Sequence, residues 1–125
     1  MKEPTERDSV GHAGWRPINP QTDTIYVTSQ GLQTVSVING RSNAVAATIP
    51  VTGFATGVAV NPRTSIVCVT VFEPEGTVAV ISARTNTIVA TVPVGSFPFQ
   101  VGTNPRTNTA YVTNAISNTV SVLGS

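Results

Sequence analysis

Short apolar runs rich in β-branched residues, each closed by a polar turn, recur along most of the chain. Gly57-Val58-Ala59-Val60 stops at Asn61-Pro62, which is a turn signal. Ser65 to Val71 is a second run, and Glu73-Pro74-Glu75-Gly76 turns after it. Thr77 to Ile81 is a third run, Ala83-Arg84-Thr85-Asn86 turns again, and Thr87 to Val94 is a fourth. Runs of Val, Ile and Thr punctuated by Gly, Pro and Asn predict strands. No window carries the apolar spacing of an amphipathic helix over three turns. Runs such as Ile66-Val67-Cys68-Val69 are nearly continuous rather than alternating, so the sheet they predict is covered on both faces.

The pattern repeats. Asn-Pro pairs stand at Asn19-Pro20, Asn61-Pro62 and Asn104-Pro105, spaced by 42 and 43 residues. The strand centres Tyr26, Cys68 and Tyr111 share the period, and so do the turn-exit threonines Thr34, Thr77 and Thr119. Four short strands in a period of about 40–45 residues predict the blade of a β-propeller. The fold expected is all-β: a partial propeller of about three four-stranded antiparallel blades, the last lacking its outer strand. The boundaries expected are a flexible tail over 1–11, blade one over 12–53, blade two over 54–96 and an incomplete blade three over 97–125. Trp15, Arg16 and Pro17 fall where the innermost strand of blade one belongs. Pro17 cannot donate a ladder hydrogen bond, so that strand is expected to be degenerate, with Trp15 capping the core of its blade.

Tyr111-Val112-Thr113-Asn114 followed by Ser117-Asn118-Thr119-Val120-Ser121-Val122 resembles the signature of the YVTN β-propeller repeat family. Asn86 to Gly95 is similar to that family's outer strand. The first copy keeps Tyr26-Val27-Thr28 with Ser29 for Asn, and the second has Cys68 for Tyr and Val71 for Asn. The resemblance implies radial sheets around a channel, in bacterial or archaeal surface and secreted proteins. It also implies kinship with lactonase-type enzymes and with binding or scaffolding proteins. The matched residues are structural and carry over a fold, not an active site.

Composition narrows the function. A chain of 125 residues, 40% hydrophobic, can bury one domain core. Its net charge of +1 gives no strong pull toward nucleic acid or anionic lipid. The single cysteine, Cys68, excludes an internal disulfide and a multi-cysteine metal site, and reads as a small buried strand residue. Met1 to Asp8 has no apolar core of a secretory signal, and no stretch is long enough to cross a membrane as a helix. Read alone this points to the cytoplasm, whereas the resemblance implies export; a truncated gene or an excised fragment reconciles the two.

His12 is the only histidine, and the acids outside the tail are Asp23, Glu73 and Glu75. No Ser-His-Asp set, zinc-type spacing or Gly-rich phosphate loop is present. No catalytic residue, metal ligand or cofactor is therefore predicted. Glu73 and Glu75 read as a solvated turn. Arg41, Arg63, Arg84 and Arg106 recur in turns, where they hydrogen-bond backbone carbonyls or form a mild anion-binding rim. The resemblance implies that ligand loops lie at the second-to-third-strand turns and the blade connections. Phe54, Phe72, Glu73, Phe97, Phe99 and Asn114 are the candidate ligand-contacting residues there.

Propellers close with roughly 4–8 blades. Fewer than three leave apolar faces wet and, at the third blade, an open strand edge. The expected partners are further blades, supplied by a longer ring or by a homo-oligomer, most simply a two-fold dimer. Three functional readings stand: a non-enzymatic binding or scaffold module, a fragment of a lactonase-like hydrolase, and a truncated gene product without a role of its own.

Overall fold

The computed structural model describes residues 18–19, 23–29 and 33–124. The expected tail over 1–11 and the expected start of blade one, with His12, Trp15 and Pro17, lie outside the described residues. Eleven strands are described: β1 (Ile18–Asn19), β2 (Thr24–Ser29), β3 (Thr34–Asn39), β4 (Ala44–Pro50), β5 (Phe54–Asn61), β6 (Ile66–Phe72), β7 (Thr77–Ser82), β8 (Thr87–Pro93), β9 (Pro98–Asn104), β10 (Thr109–Asn114) and β11 (Thr119–Leu123). They form three antiparallel sheets in simple meander order: β1 to β4, β5 to β8, and β9 to β11. The chain is thus an all-β partial propeller whose third blade has three strands.

The turns follow from their residues. Asn39, Asn61 and Asn104 each accept, through the side-chain oxygen, the backbone N–H of the residue two positions on, at 2.9–3.1 Å. That local bond starts the turn. The residue just before β2, β3, β4, β6, β8, β10 and β11 has a left-handed backbone: Asp23, Gln33, Asn43, Ser65, Asn86, Asn108 and Asn118, with φ of 54–59°. Asn tolerates that region better than most residues, which explains its recurrence at the foot of the strands.

The middle sheet is buried on two faces. The side chains of β6 alternate between the neighbouring blades. Val67 and Val69 join Tyr26, Val35, Val37 and Ile49 of blade one in one core cluster. Cys68 joins Val101, Ala110 and Val112 of blade three in another. This double burial is why the apolar runs are continuous. Burying each such Val contributes about 1.5–3 kcal/mol. Neighbouring blades approach most closely through their first two strands, β5 and β6 against β9, and β2 against β5. Sheets that converge at their inner strands form a wedge around an axis.

Two details differ from the expectation. The inner strand of blade two begins at Phe54 rather than Gly57, because a bulge between Ala55 and Gly57 lets pairing with β6 extend to Phe72. Blade one was expected to show a wet outer face, yet Val27 and Ile38 are buried in a small cluster with Ile25.

Candidate functional site

Three of the candidate aromatics meet where blades two and three join. Phe72, at the end of β6, packs on Phe97 with ring centroids 4.9 Å apart, and on Phe99 edge-on at 6.1 Å. Phe97 and Phe99 come from the connection into β9 and from β9 itself. Phe97 has a left-handed backbone, φ 51°, and its N–H donates to the Glu73 carbonyl at 2.9 Å. Phe54 lies opposite Phe72 in the β5–β6 ladder and is 48% exposed. The carboxylate of Glu73 lies against Gly53, where an added Cβ would meet Glu73 Oε2 at 2.6 Å. These residues therefore form one contiguous loop-end surface, with Phe54 and Phe99 open to solvent.

Asn114 lies beneath that surface, opposite Pro98 in the β9–β10 ladder and against Gly95. It is buried, and its amide nitrogen donates to Thr119 Oγ1 at 3.1 Å and Ser121 Oγ at 2.9 Å. Asn114 thereby braces the β10–β11 turn from within. Its side-chain oxygen is left without a partner.

The arginines divide. Arg63 reaches from blade two to blade three, donating to the carbonyls of Pro105 at 3.1 Å and Arg106 at 3.3 Å. Arg41, Arg84 and Arg106 are exposed. Among the described residues no group of three His, Cys, Asp or Glu side chains comes together. Burial pushes the Cys68 thiol up to about 11, so it stays protonated and unreactive near neutral pH.

Sequence reasoning missed a polar clamp at the same joint. The Phe99 carbonyl accepts from Thr56 Oγ1 at 2.9 Å and from Thr70 Oγ1 at 3.1 Å. Thr70 Oγ1 also accepts the Gly57 N–H, at 2.8 Å. The bulge beside Gly57 takes that N–H out of the regular ladder, and the threonine satisfies it. Gly57 is required there, because a Cβ would meet the Phe99 carbonyl oxygen at 2.9 Å. The signal lay in the repeat: Thr113 is Thr70 shifted by one period, and it accepts the Gln100 N–H at 3.1 Å.

The period also lines up the face that each blade turns toward the next. Tyr26, Val35 and Val37 of blade one are covered by blade two and are 1%, 0% and 3% exposed. Cys68 and Val78 of blade two are covered by blade three. The matched residues of blade three, Tyr111, Val120 and Val122, are 45%, 59% and 62% exposed.

No family model matches the chain, and no curated protein matches it. Among solved structures, hydrazine synthase from Kuenenia stuttgartiensis is similar, with a TM-score of 0.81 at 21% identity. The match covers 88% of this chain and 32% of that one, so this chain spans about a third of the other's length. At that identity the likeness is one of fold alone.

Proposed function

We propose that this chain is a non-enzymatic β-propeller repeat module of the YVTN type, which binds or scaffolds by joining further blades and by presenting its loop ends. The observation that carries the reading is the exposed face of Tyr111, Val120 and Val122. Its counterparts lie under a neighbouring blade in blade one, and in blade two Cys68 and Val78 do so while Val80 is partly covered. An apolar face rimmed by polar residues is a protein interaction surface. Its simplest complement is the same face on a second chain, related by a two-fold axis.

Light scattering on dilute, size-fractionated protein tests this. The expected mass is twice the 13.0 kDa of one chain, falling to a single chain in Tyr111→Glu. A stable, folded single chain in the unaltered protein would overturn the assembly. The non-enzymatic part is tested by lactone hydrolysis with and without added divalent metal, where no turnover above the blank is expected.

A further inference from the structure

The meander sorts the described charges by end. Arg41, Arg63, Arg84 and Arg106 stand in the β3–β4, β5–β6, β7–β8 and β9–β10 turns, all at one end of the sheets, and Asp23 stands with them. The opposite end of blade two carries Glu73 and Glu75 in the β6–β7 turn. Among the described residues no cation or hydrogen bond meets either carboxylate.

The aromatics share that acidic end. Phe54 lies opposite Phe72 in the ladder, and Phe97 packs on Phe72. Seven of the eight described non-glycine residues with a left-handed backbone are Asp, Asn, Gln or Ser, and Phe97 is the eighth. A bulky side chain is an outlier there, and such strain gathers at ligand-contacting sites. Phe97 is held in it from both sides: its N–H donates to the Glu73 carbonyl, and its own carbonyl accepts the Ala115 N–H, each at 2.9 Å. The surface belongs to blade two and its two connections, and described sheets flank it on either side. Its exposure is therefore a property of the loop end itself.

Around the two acids lies a hollow of about 350 Å³, lined by Thr52, Val71, Glu73, Pro74, Glu75 and Thr77. Val71, 3% exposed, gives it an apolar wall. The Glu73 carboxylate rests against Gly53, next in sequence to the half-exposed ring of Phe54.

We propose that this end of blade two docks a segment of another protein that carries a lysine or arginine beside a large apolar side chain. The inference rests on the module reading above and gives its loop ends an occupant. The carboxylates pair with the cationic head, and Val71 meets its aliphatic stem. Phe54 anchors the neighbouring apolar side chain. Charge chooses among the possible occupants. Two copies paired through this surface by a two-fold axis bring acid against acid, and like charges across an interface repel. A copy that offers its arginine end makes a head-to-tail contact, which builds an open chain of copies rather than a closed pair. The segment over 1–11 sets Lys2 and Arg7 against Glu3, Glu6 and Asp8, so it offers more acids than cationic side chains to an acidic end.

The probe is a labelled peptide, Gly-Ser-Arg-Phe-Arg-Leu-Ser-Gly, titrated into the intact chain and followed by fluorescence anisotropy. Saturable one-to-one binding is expected, weakened by added salt. An analogue with Glu for both Arg should not bind. The double variant Glu73→Gln with Glu75→Gln, and separately Phe54→Ser, each checked for unchanged β-sheet circular dichroism, should weaken binding by about tenfold or more. Arg84→Gln, at the far end of the same blade, should leave it unchanged. Equal binding of the acidic analogue, no binding of the basic peptide, or indifference to both loop-end changes would overturn the docking surface. Peptide that breaks an assembly of copies into single chains would make a second copy the occupant and overturn the choice of another protein. Tyr111→Glu should bind the peptide as the unaltered chain does. A chain that dimerises through Tyr111 and ignores the peptide overturns this surface alone, and a single chain that binds it overturns the face pairing alone.

Discussion

Tyr26 and Tyr111 occupy the same place in the repeat, yet Tyr26 is 1% exposed and Tyr111 is 45% exposed. The difference is one neighbouring sheet. Blade two covers the first ring, and no described residue of a following blade covers the second. Tyr26→Ala should cost about 3–5 kcal/mol, as large-to-small changes of buried aromatics do. Tyr111→Ala should change the stability of a single chain by no more than about 0.5 kcal/mol. Urea midpoints of the two variants, measured at a concentration where the chain is monomeric, provide the comparison. Equal losses would mean that Tyr111 is packed in solution.

Two glycines in the inner strands of neighbouring blades, Gly57 in β5 and Gly102 in β9, divide in the same way. Gly57 faces the Phe99 carbonyl and Thr70 Oγ1, both 2.9 Å from an added Cβ, whereas Gly102 has nothing within 4 Å. Gly57→Ala should destabilise by about 1–3 kcal/mol by pushing the third blade off the second. Gly102→Ala should be neutral. Thermal melts of the pair are the measurement, and a harmless Gly57→Ala would count against a rigid joint.

Thr70→Val removes one hydroxyl on which two partners draw. The Gly57 N–H loses its acceptor at 2.8 Å, and the Phe99 carbonyl loses one of its two donors. A loss of about 1–3 kcal/mol is expected for leaving the buried Gly57 N–H unsatisfied. Amide exchange should accelerate at Gly57 itself, which separates this cause from general loosening.

Stability should fall at alkaline pH. Burial raises the Cys68 thiol from 9.0 to about 11, so the folded chain holds that proton more tightly than the unfolded one. The contribution is complete below the unfolded value and is lost as pH rises through the folded value. Burial raises the Tyr26 hydroxyl as well, in the same direction. Cys68→Ala should therefore flatten the decline between about pH 9 and 11, leaving the slope that Tyr26 contributes above its ordinary value of 10.0. Denaturant midpoints across that range test it; an unaltered slope in Cys68→Ala would assign the decline elsewhere.

The strands were legible because the repeat and the turn chemistry agree. Asn61 and Asn104 announce their turns through a bond to their own backbone, and the continuous run at Ile66 to Val69 announces two covered faces. What lay hidden was polar and non-local. Thr56 and Thr70 read as ordinary strand residues, and their role depends on a carbonyl 43 and 29 residues away. The candidate loop residues were found by position in the repeat. Position alone did not separate Phe72, which bridges two blades, from Asn114, whose amide is held inside one.

The link from Thr56 and Thr70 to the Phe99 carbonyl sits near the inner strands, while Cys68 and Val101 meet further along the same joint. A seam fixed at one corner and filled behind resists both sliding and splaying, as a bracket does. Each bracket sets its own angle. The curvature of any longer array is therefore written joint by joint, and exchanging one sheet would bend the assembly only at its own two seams.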